Sequence, residues 1–384
     1  MNTHPIDIVS FHPSDKSLTK KFIGFPWKIY NKKDHPQWVP PLRATVWDAL
    51  DTEKNPFYKK AEIQLFMATR NGQWVGRIAA IDNHAHNEFH KDQVGFYGFF
   101  ECIDDQEVAN RLFDVARTWL KKRGKTHMRG PMSPSTNHEC GLLVRGQSQH
   151  PTLMTTWNPK YYQELHEKAG FSDAKDLVAY LLPTEFMKHI PEEKIQRAKQ
   201  KLAESGFKFR DFDLKNFDRE IEICFDIYNS AWEDNWGFVP MTQEEFIHAA
   251  KDMKMLVDPR FAFIAEKDGK AAGFMLALPD FNWIFKRIKN GRLFPTGVLK
   301  ILLGKRFLKT VRILTLGVKS EYRKEGIFNL FTYESFRRAK EYGVVAGEAS
   351  WILEDNEAMN RPWKELQAPL YRRWRIYDQD LSSM

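Results

Sequence analysis

The 384-residue chain has only three cysteines, Cys102, Cys140 and Cys224, and no two of them form a CxxC pair. A disulfide framework and a zinc ribbon are thereby excluded. No run of residues approaches the roughly 20 apolar positions that a membrane-spanning helix needs. The opening MNTHPIDIVSFHPSDK lacks the apolar stretch of a secretory signal, and low-complexity tracts are absent. The expectation is a cytoplasmic chain, with peripheral contact to the inner membrane as the one membrane role left open. Aromatics are plentiful at 14%, with 29 Phe and 12 Trp, so the core or a cleft is ring-rich. The 42% hydrophobic and 28% charged content is an ordinary globular balance that argues against wholesale disorder. Domains run to roughly 100–200 residues, so the length predicts two.

Acid is missing from one stretch altogether. Residues 281–310 carry Lys286, Arg287, Lys289, Arg292, Lys300, Lys305, Arg306 and Lys309 without one Asp or Glu, while the whole chain has a formal net charge of +8. The excess positive charge therefore sits in this segment. Its basic residues alternate with Trp283, Phe285, Leu293, Phe294, Leu299, Leu302, Leu303 and Phe307. That is the composition of a segment lying on an anionic membrane surface. A helical insertion packed on its own domain with snorkelling cations is the bland alternative. A nucleic-acid partner fits less well, because such binders spread a basic stripe over a folded face.

An internal repeat organises the rest. Ala61–Arg70 and Trp74–Ile81 read as two strands joined at Asn71-Gly72, and Phe261–Glu266 and Ala271–Leu278 repeat them around Asp268-Gly269. Each half continues with a strand, a loop and an amphipathic helix ending in glycine: Gln106–Arg123 before Gly124, and Asn329–Tyr342 before Gly343. The offset between Gly76 and Gly273 recurs between LHEKAGF and WKELQAP. In between, the second half gains the basic apolar insertion and the first gains the long loop Met132–Trp157. The order in each copy is strand, helices, hairpin, strand, central helix, strand, helix, strand. This predicts an α+β fold of two tandem domains with mixed, mostly antiparallel sheets flanked by helices. The copies span 1–183 and 207–384, joined by a polar linker, 184–206, that is helical after Pro191.

In the second copy, ILTLGVKSEYRKEGIFNLFTYESFRRAKEYG is a buried strand, a short glycine loop and a helix. Backbone N–H groups converge at such a helix start and favour an anion. Arg323 and Lys324 add charge-assisted bonds to a diphosphate. Here the sequence resembles the acetyltransferase superfamily often called GNAT, whose Arg/Gln-x-x-Gly-x-Gly/Ala signature reads Arg323-Lys-Glu-Gly326-Ile327-Phe328. GEASWILEDNEAMNRPWKEL is similar to that family's fifth strand and following helix. The resemblance implies an acyl-CoA donor, acetyl-CoA by default, held by Leu316, Val318, Arg323, Lys324, Gly326, Ile327, Phe328 and Asn356. Phe328 replaces the second small residue, Gln367 the following glycine, and Trp363 the tyrosine that protonates the leaving thiolate. The first copy, VGFYGFFECIDDQEVANRLF, lacks Arg-x-x-Gly and offers Asp104, Asp105 and Glu107 where a diphosphate would lie. It is expected to supply acceptor-side surface. Relatives such as mycothiol synthase, the N-myristoyltransferases and the Fem-type transferases commonly have one degenerate half. WVPPL, KNPF, VGRIAAI, GFYGFFE, RGPMSPSTN and YNSAWEDNWGFVP also resemble a bacterial tandem family that includes ceramide-synthase-like acyltransferases.

Acyl transfer to an amine needs a proton acceptor, a polarised carbonyl and an escape for the thiolate. Superfamily members supply the second through splayed fourth and fifth strands, here with backbone N–H groups near Leu316–Val318. Glu348, alternating with Ser350 inside an apolar strand, is the first candidate base, since burial raises a carboxyl pKa. A structural ion pair with a nearby arginine is its bland reading. Glu101 is the second candidate. Tyr371, or Tyr377, on the last strand stands in for the missing tyrosine acid, although both types are more often core rings. His84, His86 and His90 form a weak HxH pattern without a fourth ligand, so no metal is expected. Cys140 has no histidine partner in sequence, and Ser133, Ser135 and Asn137 lie on a polar loop beside or over the cleft. The reading is an N-acyltransferase moving an acetyl or long-chain acyl group from coenzyme A to a small-molecule or lipid amine. A Fem-like aminoacyl-tRNA-dependent transferase and a non-catalytic acyl-CoA sensor are the alternatives.

Overall fold

A computed structural model describes residues 4–190, 192–232 and 235–382. Pro191, expected to open the linker helix, and Glu233–Asp234 of the YNSAWEDNWGFVP segment lie outside the described residues. The first half runs β1 (Ile6–Phe11), β2 (Ala61–Arg70), β3 (Gln73–Asn83), α1 (His84–His90), β4 (Val94–Cys102), α2 (Gln106–Lys121) and β5 (His127–Gly130). The long loop then carries β6 (Met132–Ser133), β7 (Glu139–Cys140) and β8 (Leu142–Arg145), followed by α3 (Tyr161–Lys168) and β9 (Ser172–Pro183). The second half begins with α4 (Glu192–Ser205), β10 (Phe207–Asp211), α5 (Phe217–Trp232), β11 (Ala262–Lys267) and β12 (Lys270–Pro279). It continues with α6 (Thr296–Gly304), β13 (Thr310–Val318), α7 (Ile327–Glu341), β14 (Ala346–Leu353), α8 (Glu357–Glu365) and β15 (Leu370–Asp380).

Local chemistry explains the repeat. Both hairpins turn on a pair with positive φ, Asn71-Gly72 at 52° and 70° and Asp268-Gly269 at 51° and 75°. These are the residues that a two-residue hairpin of matching twist demands. In each half β2–β3–β4 or β11–β12–β13 forms an antiparallel meander, and the central helix then carries the chain over to a parallel neighbour. That neighbour is β5 beside β4, and β14 beside β13. Helix α2 buries Val108, Ala109, Leu112, Phe113, Ala116 and Leu120, one stripe at helical spacing.

The chain packs as two compact units, Met1–Leu177 with Ile284–Ile301 and Arg372–Met384, and Val178–Trp283 with Leu302–Tyr371. Packing units and sequence copies thus differ in three places. The end of β9 lies in the second unit, whereas β15 from Arg372 onward and part of the basic insertion lie in the first. The first unit has strand order β1-β2-β3-β4-β5-β15, with β8 also on β15. The second has β9-β14-β13-β12-β11-β10.

One glycine in each meander lets the central helix sit close to its sheet. A Cβ on Gly76 would lie 2.6 Å from the Leu112 side chain of α2. A Cβ on Gly273 would lie 2.6 Å from the Gly317 carbonyl oxygen and 3.0 Å from the Phe331 ring of α7. The second contact is with backbone, which cannot swing aside. Gly273→Ala is expected to cost about 1–3 kcal/mol, as overpacking does, read as a lower urea midpoint with an unchanged slope.

Candidate active site

The second unit contains an interrupted sheet. Strands β13 and β14 pair only from Thr310↔Ala346 to Ile313↔Ala349. Both strands run on, but among the described residues the pairing ends there. On its other edge β13 stays paired to β12, and the register shifts between Ile313 and Thr315, which leaves Leu314 as a bulge. The Lys319 N–H donates to the Ala272 carbonyl at 2.9 Å. Alternation along an antiparallel pair then turns the N–H groups of Leu316 and Val318 away from β12 and toward the gap. An unpaired strand edge of this kind accepts an extended ligand through its backbone groups.

The glycine loop lies at the open end of the gap. Gly326, at φ 73°, precedes the first turn of α7 in the left-handed region that glycine enters without strain. Arg323 is committed to protein carbonyls: its Nη2 donates to the oxygens of Ser230 and Ala231 at 3.2 and 3.1 Å, and its Nε to that of Val318 at 3.4 Å. It ties the last turn of α5 to the end of β13. The cation at the glycine itself is Lys201 of α4, whose Nζ would lie 2.3 Å from a Cβ on Gly326. No local pattern marks Lys201, because it is one of several lysines on a polar helix and only tertiary packing brings it here. Lys324 is exposed. Lys267 and Lys319 pair with Glu325 and Asp226. Asn356 caps α8, accepting the Met359 N–H at 3.1 Å.

Between the sheet and α7 lies an apolar cavity lined by facing residues of β13, β14, α7 and α8. Phe328 and Trp363 both line it and meet edge to ring at 6.4 Å. The two departures from the signature therefore form walls of this cavity.

Alternation puts Ala349 on the α7–α8 side of the sheet, packed with Trp363, and Glu348 and Ser350 on the opposite side. Glu348 is buried and accepts hydrogen bonds from the Ser350 hydroxyl and the Tyr371 phenol. Arg312 lies opposite Glu348 in the strand register and donates to Ser350 Oγ at 2.9 Å. The structure thus brings together Glu348 and Tyr371, two sequence candidates chosen for different roles. Tyr377 belongs to the first unit, where its ring stacks on His166 at 5.3 Å. The expectation that it serves the second copy's chemistry is corrected accordingly.

The equivalent places in the first unit are filled. Beside the register shift on β4, the Phe99 N–H donates to Ser133 Oγ at 2.9 Å, so the chain's own β6 lies against that strand. The space beneath α2 holds the rings of Tyr97, Phe100, Phe113, His166, Phe171 and Tyr377. At the start of α2, Asp105 caps the helix and takes a 2.6 Å ion pair from Arg70, with Glu107 at 2.9 Å. Burial opposes ionisation of Asp105, but Arg70 and the helix N–H groups hold its pKa below the ordinary value. An internal carboxylate thus occupies the anion position. Glu101 is partly buried, accepts the phenols of Tyr30 and of Tyr162 (2.7 Å), and lies 3.6 Å from Arg77. His84, His86 and His90 all fall on α1, a different placement from the strand-plus-helix arrangement a metal would want. Burial pushes the His86 imidazole down to about 4 against the opposing pull of Asp92.

The basic insertion is split in behaviour. Within the first unit, Trp27 Nε1 donates to the Lys289 carbonyl at 2.7 Å, Arg43 to those of Gly291 and Asn290, and Ile284, Phe285 and Ile288 are buried. By contrast Phe294, Leu299, Leu302, Leu303 and Phe307 are between 55% and 77% exposed. Leu299, Leu302 and Leu303 share one face of α6. Among the described residues no helix is long and apolar enough to cross a membrane.

No protein-family model matches the chain. It is 36% identical to the bacterial ceramide synthase of Caulobacter vibrioides over 94% of this chain and 94% of that protein. It is 33% identical to protein YghO of Escherichia coli over 96% of this chain and 94% of that one. Among solved structures, a tandem GNAT protein from the clavulanic acid biosynthesis pathway covers 98% of this chain and 99% of its own, with a TM-score of 0.55 and 11% identity. A GCN5-related N-acetyltransferase from Sphaerobacter thermophilus covers 99% and 97%, with a TM-score of 0.50 and 12% identity. These structures establish the tandem GNAT fold.

The Glu101 cluster makes a pH prediction. Burial raises the Glu101 carboxyl pKa, with Arg77, Tyr30 and Tyr162 pulling against it. A carboxyl raised in the folded state binds a proton more tightly than in the unfolded chain. Its contribution to stability is therefore full below the unfolded value and is lost as pH rises through the folded one. Glu101→Gln removes this term, so the variant's melting temperature is expected to fall less than the wild type's between pH 4 and 7. Parallel profiles would show that Glu101 ionises as freely folded as unfolded.

Proposed function

We propose, from the premise that this chain belongs to the tandem GNAT-type acyltransferase family of the bacterial ceramide synthase, that it transfers an acyl group from coenzyme A to a lipid amine. The observation that carries this reading is the interrupted β13–β14 pairing, with its bulge at Leu314 and free backbone edge at Leu316 and Val318. A ceramide synthase joins an acyl group to a lipid amine, and that relative matches 94% of this chain. The anion position at Gly326, with Lys201 beside it, suits the diphosphate of the donor.

The reaction forms an N–C bond and breaks a C–S bond in one ternary complex, with tetrahedral collapse between them. The N–H groups of Leu316 and Val318 polarise the thioester carbonyl as negative charge builds on its oxygen. Glu348 takes the proton that the attacking ammonium must lose. Tyr371, hydrogen-bonded to Glu348, gives its phenolic proton to the departing thiolate and recovers one from the carboxyl. Trp363 cannot do this, because an indole N–H donates a hydrogen bond but does not ionise near neutral pH.

The exposed face of α6 docks on an anionic bilayer, where a long-chain amine resides. Leu299, Leu302, Leu303, Phe294 and Phe307 enter the interface, and the acid-free set of lysines and arginines meets the headgroups. Each such cation near the surface contributes about 1 kcal/mol.

Two measurements test these statements. Coenzyme A and its thioesters should raise the melting temperature of wild type and of Glu348→Gln alike. The variant's turnover should fall roughly 10²–10⁴-fold, as loss of a general base does; retained turnover would remove Glu348 from the mechanism. Sedimentation with phosphatidylglycerol-containing vesicles should capture wild type at low salt and lose Leu302→Asp/Leu303→Asp. Equal sedimentation of both proteins would place the membrane contact elsewhere or nowhere.

A further inference from the structure

The cavity between the second unit's sheet and α7 extends well past the gap where a thioester would sit. Its lining includes Phe328, Thr332, Ser335, Phe336 and Ala339, partly buried positions of α7 from its first turn to its last. Because α7 runs antiparallel to β13, its start lies at the open ends of β13 and β14 and its end lies where those strands are paired. The mouth walls Leu314, Leu316, Phe328 and Trp351 are partly exposed. At the other end Phe261, Ala277, Val311 and Val344 are buried and packed together, with Ala339 against them. The cavity is thus a tunnel running from Phe328, two residues past Gly326, to this buried cluster.

Its polar groups are sorted along the same axis. Toward the closed end, Thr184 donates to the Val344 carbonyl, Ser335 to that of Phe331 and Arg338 to Glu334 and Asp211. None of these is left facing a ligand unsatisfied. Toward the first turn of α7, the Trp363 indole Nε1 is buried without a partner. Trp363 is 5% exposed. Buried donors are ordinarily paired, so this one points to a polar ligand group at that end and an apolar one beyond it.

We infer that the tunnel holds the fatty acyl chain of the donor and that the cluster of Phe261, Ala339 and Val344 at its closed end sets the chain length; this rests on the acyl-CoA reading above. The occupant is the donor's chain and not the acceptor's, because the tunnel starts at Phe328, two residues past Gly326, on the α7 side of the sheet. Glu348, which receives the amine's proton, lies on the other side. From Phe328 to Ala339 the helix rises about 16 Å at roughly 1.5 Å per residue. An extended chain advances about 1.2 Å per bond, so about thirteen carbons reach the closed end. Acetyl would leave that length empty of contacts, which close-packed interiors do not otherwise tolerate.

The test compares acetyl-, octanoyl-, dodecanoyl-, palmitoyl- and free coenzyme A below their micellar concentrations, by thermal shift and by kcat/KM with one long-chain amine. In the wild type, affinity should rise roughly fourfold per methylene, the worth of a buried CH₂, and level off near a dodecanoyl to tetradecanoyl chain. Ala339→Phe fills the closed end and should lower kcat/KM for palmitoyl about tenfold or more relative to octanoyl, with stabilisation by free coenzyme A unchanged. Phe261→Ala opens the end and should move the plateau to longer chains. Opposite shifts from the two variants cannot arise from a shared loss of folding. If free coenzyme A stabilises the protein but no thioester does better, or both variants keep the wild-type chain profile, the tunnel assignment is wrong and the donor site stands. If coenzyme A itself gives no stabilisation, the acyl-CoA reading fails first.

Discussion

Backbone hydrogen bonding is the constraint on which the second unit depends. A strand in the middle of a sheet has both edges committed, and buried N–H and C=O groups left over are costly. Here β13 and β14 share pairs from Thr310 to Ile313 and then leave the following residues of two central strands without each other. Such an arrangement persists when the surroundings hold the two strands apart and a ligand or solvent completes the edge. Arg323 does part of the holding, bonding at once to the end of β13 and to the last turn of α5. The wide lining of aromatic and aliphatic side chains under the gap does the rest. The features on which the proposed donor role of this unit rests follow from the interruption: the bulge and the free edge.

The first unit shows what the same architecture becomes when that interruption has been closed by the chain itself. Its parallel pair β4–β5 is also short, from Val94↔His127 to Phe96↔Arg129. Beyond it, however, Ser133 bonds to the β4 backbone, Asp105 and Arg70 neutralise each other at the helix start, and stacked rings fill the space under α2. His166 occupies the repeat position of Trp363. Its ring is packed among aromatics, and burial lowers its pKa to about 4, so it is a neutral core residue at physiological pH. In these three places the first unit's own groups make the contacts.

Much of this was legible in the sequence because it is written in local patterns. The hairpin dipeptides Asn71-Gly72 and Asp268-Gly269 force positive φ, the amphipathic stripes of α2 and α7 have helical spacing, and the repeat fixes their order. The strand–glycine–helix order of the motif is present as read, with Gly326 at positive φ before α7. What escaped was tertiary. The ammonium beside Gly326 comes from Lys201, more than a hundred positions away on a helix whose composition marks it only as polar. The meeting of Glu348 with Tyr371 depends on where the chain crosses from α8 into β15. The assignment of β15 beyond Arg372, and of Ile284–Ile301, to the first unit reverses what linear order suggests. Arg323 illustrates the opposite error: a residue that fits a signature can spend its donors on carbonyls that the signature does not mention.

Two departures from the family signature also change meaning once they are placed. Read along the chain, Phe328 crowds a phosphate loop and Trp363 removes an acid. In three dimensions their rings meet edge to face as adjoining walls of one apolar space. A small residue at 328 would widen the approach to the diphosphate, but it would also remove apolar surface from the mouth of the tunnel. A tyrosine at 363 would bring a hydroxyl into the same wall. The indole covers more apolar area than a phenol would. Under the proposed mechanism the acid missing at 363 is replaced by another phenol, and Tyr371 is hydrogen-bonded to Glu348. On that proposal Phe328, Trp363 and Tyr371 form a linked set: two line the apolar cavity, and the third supplies the proton.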